Sequence, residues 1–260
     1  MQTKNLEDFT LSDKDLLKYN RHILLPEIDI EGQKLLMSKH VVLIGLGGLG
    51  SPIAYYLASS GIGNITIIDK DIVDQTNLQR QILYNGDDIG KRKVDIAFER
   101  MRDINQDIDI NRISEDLNDI TDNKYFIDSD LIIDATDNFK TRNNINKLSL
   151  IHKKPLVMGA AIKMEGQISI FRNDKKNAPC YNCLYNDLGD DDLSCSDYGV
   201  LSTLTGIVGS IQANESIKVL LDIGEKLESK LLMIDAKNLS FKKIKINKDP
   251  NCKVCSKKIL

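Results

Sequence analysis

Residues 40–71 read HVVLIGLGGLGSPIAYYLASSGIGNITIIDKD, and this stretch decides the fold. Val41 to Ile44 form an unbroken apolar run rich in β-branched residues, which predicts a buried strand. Gly45, Gly47 and Gly50 then give G-x-G-x-x-G, with Gly48 between them, and Ser51 to Gly61 carry a helical pattern. Pro52 falls early enough in that helix for its missing N–H to cost little. Asn64 to Ile68 predict a second strand closed by Asp69, near the spacing at which an acid meets a ribose hydroxyl. The glycines let backbone approach phosphate, while the helix N-terminus offers unpaired N–H groups and the positive end of its dipole. A tight glycine turn in any α/β protein would share this pattern, and a nicotinamide dehydrogenase is the first nucleotide-binding class to consider.

The next segment argues against a dinucleotide. Asp71 and Asp74 lead into Asn77-Leu78-Gln79-Arg80-Gln81, and Gly90-Lys91-Arg92-Lys93 opens another helix. Glycine amides alone commonly hold a dinucleotide's two phosphates. Arg80 and Lys93 after the second strand suit a triphosphate, whose extra charge favours added cations. The plain alternative for both is exposed surface charge.

Further along, Val94 to Ile104 is amphipathic, Ile108 to Ile113 alternates like a strand, and Leu117 to Phe126 has a weak helical pattern. Asp130 to Asp134 predicts another buried strand, with Ala135-Thr136-Asp137-Asn138 at its carboxyl end, where open parallel sheets bind ligands. A helix from Asn138 to Ile151 and a strand at Leu156 to Met158 follow. Upstream, Ser12-Asp13-Lys14-Asp15 forms a capping box that starts a helix running through Ile23, and Glu31 to Lys39 is a second helix. This alternation predicts an α/β fold with a doubly wound, Rossmann-like, mostly parallel sheet. From Gly166 the rhythm changes: Gln167 to Phe171, Lys230 to Asp235 and Ser240 to Ile246 are strand-like around one long helix, Leu204 to Leu221. The sheet is therefore expected to continue with antiparallel strands. No linker-like tract divides the chain, so 1–260 reads as one domain, with a nucleotide-binding part (1–165) and an antiparallel, zinc-bearing part (166–260).

Composition narrows the function classes. The chain has 260 residues, 42% hydrophobic and 28% charged, with net charge −3, which leaves no global nucleic-acid or polybasic membrane footprint. Val41 to Ile68 lacks charge and is long enough to span a bilayer, but its glycines, serines and Asn64 fit a strand, turn and buried helix better. The polar start MQTKNLEDFT does not resemble a secretory signal, so a cytoplasmic location is expected. Without export, disulfides are disfavoured. Cys180 with Cys183 and Cys252 with Cys255 form two C-x-x-C pairs, able to close a tetrahedral zinc shell as a long-range clasp; two redox-active or unbound dithiols are the alternative. Cys195 follows an acidic stretch that should disfavour its thiolate.

Asp137 is the candidate for Mg²⁺, because a carboxylate at a strand end can hold the ion against phosphate oxygens. It could instead cap the following helix, and Asp134 is a rival ligand.

Taken together, Gly45-Leu46-Gly47-Gly48-Leu49-Gly50, Asp69, Asn77-Leu78-Gln79-Arg80-Gln81, Lys93 and Ala135-Thr136-Asp137-Asn138 resemble the adenylation core of the MoeB/ThiF family, relatives of the ubiquitin-activating enzymes. The resemblance runs from about Tyr19 to the last cysteine, and Gly159 to Gln167 is closer to the MoeB pattern. It implies ATP, Mg²⁺ and a structural Zn²⁺ as cofactors. Lys93 and Arg80 would bind phosphates, Asn77 would add polar contacts, Asp69 would hold the ribose, and Leu78, Gln79 and Asn138 would complete the nucleotide site. It also implies a homodimer in which Arg21 reaches the partner's nucleotide site. The implied reaction is adenylylation of the C-terminal glycine of a ubiquitin-like sulfur carrier, MoaD-like for molybdopterin synthesis or ThiS-like for thiamine thiazole. In ThiF-like relatives a cysteine near the position of Cys195 links covalently to the carrier; the MoeB pattern does not require one, so Cys195 reads as bystander or sulfur handler. The chain ends soon after Cys255, without the rhodanese domain of some relatives, so a separate sulfur-donor protein is expected. The competing classes are a nicotinamide dehydrogenase, against which Arg80 and Lys93 argue, and a non-catalytic carrier-binding scaffold, against which Arg80, Lys93 and Asp137 argue.

Overall fold

A computed structural model describes residues 10–120, 124–185 and 198–256. Its centre is one sheet of eight strands in the order β3-β2-β1-β4-β5-β6-β7-β8. These are β1 (His40–Ile44), β2 (Asn64–Ile68), β3 (Asp109–Ile113), β4 (Leu131–Asp134), β5 (Pro155–Ile162), β6 (Glu165–Arg172), β7 (Lys230–Asp235) and β8 (Ser240–Lys245). The first five are parallel, and β6 to β8 continue the sheet antiparallel, as the change of rhythm near Gly166 predicts.

The helices are α1 (Asp13–Lys18), α2 (Asn20–Ile23), α3 (Asp29–Ser38), α4 (Gly50–Ser59), α5 (Lys93–Ile104), α6 (Lys124–Ile127), α7 (Phe139–His152), α8 (Tyr181–Leu184) and α9 (Ser202–Leu221). Alternation along β1 explains why both faces are covered. Val41 and Leu43 join the apolar cluster with Ile53 and Leu57 of α4, Val94 and Met101 of α5, and Leu204 and Val208 of α9. Val42 and Ile44 point the other way, into a second cluster with Phe126 of α6, Ile145 of α7 and Tyr181 of α8.

Three elements depart from expectation. The first helix breaks at Tyr19, because that side chain turns inward, 4% exposed, and its hydroxyl accepts from Asn105 Nδ2 at 2.9 Å. Leu117 to Phe126 is not one helix: Asp116 caps a single 3₁₀ turn at Leu117–Asp119, and α6 starts separately. β5 extends well past Met158, because it pairs along its whole length with β6 in a hairpin, a partner that apolar run length does not reveal. The edge strand β8 is exposed throughout and carries Lys242, Lys243 and Lys245, charges that discourage a further strand from adding. Among the described residues no helix is long and apolar enough to cross a membrane.

Candidate active site

A cavity of about 660 Å³ opens at the carboxyl ends of β1, β2 and β4, where the sheet order reverses between β1 and β4. The turn out of β1 forms its floor. Gly45 has φ +91°, and a Cβ there would lie 2.7 Å from the Ala135 carbonyl, so only glycine fits. A Cβ on Gly50 would come within 2.0 Å of the Gly45 carbonyl, so this glycine lets α4 start directly over the turn. Gly47 and Gly48 face the cavity. Tyr84 donates to the Leu46 carbonyl at 2.9 Å and fixes the turn from behind.

Asp69 sits at the end of β2 and lines the cavity. Its Oδ2 accepts from Leu46 N–H at 2.7 Å and its Oδ1 from Asp71 N–H at 2.8 Å, so it also ties the glycine turn to the β2 exit. Burial raises its carboxyl above the usual range, opposed by Lys93 and those two N–H groups. Lys93, the first residue of α5, is 4% exposed, and its Nζ pairs with Asp71 at 2.9 Å. Asn77, Gln79 and Arg80 line the same wall, with Arg80 Nη1 donating to the Thr76 carbonyl at 3.0 Å. Two cations thus stand on the side opposite the β4 exit.

At that exit the helix-capping role falls to Asn138, whose Oδ1 accepts from Thr141 N–H at 2.9 Å. Asp137 is exposed towards the cavity, and among the described residues its carboxylate takes only a 3.5 Å contact from Asn138 Nδ2. An available carboxylate facing two cations across a glycine turn fits a magnesium ligand shared with phosphate oxygens. Asp134 lies deeper, with its Oδ2 buried and taking no hydrogen bond among the described residues. It is 1% exposed beneath the cavity, and its Oδ1 accepts from Thr136 N–H and Oγ1 at 2.9 and 2.7 Å.

The sequence-predicted nucleotide residues converge with three qualifications. Gly50 shapes the turn without lining the cavity, Leu78 packs against the apolar cluster instead, and Arg21 is exposed on α2 outside the cavity. Sequence reading quoted Gln81 without giving it a role and missed Thr205, Arg142 and the Lys70–Asp116 ion pair at 2.7 Å, all at the cavity wall. Arg142 carried a signal in its place one turn after a strand-end cap; Thr205 comes from the distant α9 and carried none.

The four cysteines of the two pairs meet between α8, which packs against α7, and the C-terminal tail. Their Sγ atoms all lie within 4.8 Å of one another, with neighbouring separations of 3.9, 3.8 and 3.5 Å. A tetrahedron with Zn–S of about 2.3 Å has edges of about 3.8 Å, so the thiols match a closed zinc shell. Thiols this close cannot all ionise without a cation. The hydrogen bond with Cys180 holds the Cys183 thiol below its usual range, while burial pushes the Cys255 thiol up. Cys195 lies outside the described residues.

Comparison with known proteins agrees with this geometry. The profile of the ThiF family matches residues 19–254. The chain is 41% identical over 245 residues to the molybdopterin-synthase adenylyltransferase of Escherichia coli K12, covering 94% of this chain and 98% of that protein. It is 36% identical to the sulfur carrier protein adenylyltransferase of Thermus thermophilus, covering 93% and 91%. A crystal structure of Escherichia coli MccB with succinimide superposes with a TM-score of 0.78 at 25% identity, over 92% of this chain and 74% of that one. With a matched profile across nearly its whole length and full-length relatives at this identity, the chain belongs to the ThiF family.

Proposed function

We propose that this protein is an ATP-dependent adenylyltransferase that activates the C-terminal glycine of a small ubiquitin-like sulfur carrier, MoaD-like, for molybdopterin synthesis. The observation that carries the reading is the convergence of Lys93, Arg80 and the available Asp137 carboxylate on one glycine-floored cavity. A hydride-transfer site has no need of a magnesium-holding carboxylate set beside such cations. The identity to molybdopterin-synthase adenylyltransferases, over almost their full length, supports the choice of carrier.

In this reading the Gly45–Gly50 turn and the start of α4 receive the phosphates, and Asp69 faces the ribose. Lys93 leaves or shares Asp71 to meet phosphate, and Arg80 adds a second cation from the same wall. The carrier's terminal carboxylate attacks the α-phosphorus; one bond forms to its oxygen, the bond to the bridging oxygen breaks, and pyrophosphate leaves with that electron pair. No side chain forms a bond to the nucleotide: positioning and charge neutralisation carry the step. Magnesium bound through Asp137 would supply further neutralisation of the phosphates. The zinc site is structural, a closed shell without an open position. Four thiols reserved for metal would need a reducing compartment, which fits a cytoplasmic enzyme. We also assign a homodimer, in which the exposed Arg21 of one subunit completes its partner's site.

The test is ATP–pyrophosphate exchange with labelled pyrophosphate, run with MoaD-like and ThiS-like carriers. Carrier-dependent exchange, greatest with the MoaD-like protein, is expected; NAD-dependent absorbance change without exchange would reject the reading.

A further inference from the structure

A path of hydrogen bonds and helix backbone runs from the turn bearing Asp137 along α7 to the cysteine clasp. Thr136, directly before Asp137, is held at every polar atom. Its N–H and Oγ1 donate to Asp134 Oδ1, and its carbonyl accepts from Arg142 Nη2 at 2.7 Å. Arg142 projects from the first turn of α7 and is 5% exposed, although it reaches the cavity wall. Its charge acts on two further buried groups, the Asp134 carboxyl and the Tyr181 phenol, opposing in each the upward push of burial.

Tyr181 follows Cys180 and opens α8, the short helix that contains Cys183. Amide side chains stitch this helix to α7. Tyr181 N–H donates to Asn146 Oδ1 at 3.2 Å, Asn146 Nδ2 to Asn182 Oδ1 at 2.8 Å, and Asn182 Nδ2 to Asn143 Oδ1 at 2.9 Å. Whatever fixes the four thiols fixes α8, hence the face of α7 that carries Arg142, hence the Thr136 carbonyl. Groups one bond removed from a metal ligand commonly set its orientation, and displacing them weakens metal affinity more than it alters the fold.

We propose that Arg142 is a positioning residue through which the four-cysteine clasp fixes the strand-end turn bearing Asp137, so that magnesium affinity in the nucleotide cavity depends on the clasp. This rests on the reading of the cavity as a magnesium–ATP site. Direct contact between Arg142 and the nucleotide is the competing role, and magnesium dependence separates the two.

The experiment is calorimetric binding of a non-hydrolysable ATP analogue, with and without Mg²⁺, to the wild type, Arg142→Gln, Arg142→Lys, Cys255→Ser and the Arg142→Gln/Cys255→Ser double variant. Arg142→Gln should weaken magnesium-supported binding about tenfold, leaving magnesium-free binding within about twofold. Arg142→Lys, which can still donate to the Thr136 carbonyl, should recover most of the loss. Cys255→Ser should act in the same direction, and the double variant should be no worse than the weaker single, since both changes break one path. Equal losses with and without magnesium, or additive losses in the double variant, would overturn the proposal. If Cys255→Ser fails to fold, the Gln and Lys variants still decide the role of Arg142. A wild type that binds no analogue sinks the nucleotide reading as well, whereas a binding wild type with unchanged magnesium dependence in Arg142→Gln sinks only this inference.

Discussion

Neighbouring glycines in one motif do different jobs. A methyl group at Gly50 would strike the Gly45 carbonyl, whereas one at Gly47 would meet only the Gln81 side chain at 3.6 Å. Gly50→Ala should therefore destabilise the fold by more than about 3 kcal/mol, read as a lowered melting temperature. Gly47→Ala should melt like the wild type yet lose nucleotide affinity, on the order of 10²-fold in exchange rate if phosphate is displaced by about an ångström. Asp137 makes the complementary case. Among the described residues its side chain makes only a 3.5 Å contact, so Asp137→Ala should abolish pyrophosphate exchange at unchanged stability. Full exchange in that variant would remove the acid from the site.

Two elements are tied by contacts whose strength depends on solution conditions. The exit of β2 is joined to the turn after β3 by Lys70 and Asp116. The hydrogen bond from Lys70, with the Asn118 N–H, lowers the Asp116 carboxyl to about 2. A depressed folded-state value means stabilisation that is complete above the ordinary carboxylate range, near pH 4, and lost as pH falls through about 2. Both groups are substantially solvated, so less than about 1 kcal/mol is at stake. The stability difference between the wild type and Lys70→Met should be small at pH 7 and vanish by about pH 2; a difference that grows on acidification would contradict the sign. At α8 and the tail, the cysteine clasp joins segments 68 residues apart in sequence. Stripping zinc with a chelator should lower the melting temperature by more than about 5 °C, and purified protein without stoichiometric zinc would end the assignment.

At the scale of the whole molecule, Arg21 is exposed on α2 and its own cavity is built without it. If a second copy supplies it, Arg21→Ala and Asp137→Ala proteins, each inactive alone, should complement on mixing. Random exchange makes half the dimers mixed, each with one intact site, so activity should recover to about a quarter of the wild type. No recovery after confirmed subunit exchange would place each site within a single chain.

The sequence alone determined the strand–turn–helix that begins the sheet, the change to antiparallel strands and the identities of Arg80 and Lys93 as cations of the cavity wall, because period, glycine spacing and charge are local properties. It also singled out the four cysteines, since paired C-x-x-C spacing restricts their chemistry. Only the tertiary structure decided that Tyr19 breaks the first helix, that Asn138 takes the cap and leaves Asp137 available, and that Leu78 packs against the core. It alone brought Thr205 and Arg142 to the cavity. Those outcomes depend on which distant groups meet a side chain, and chain folding fixes such encounters where sequence spacing does not.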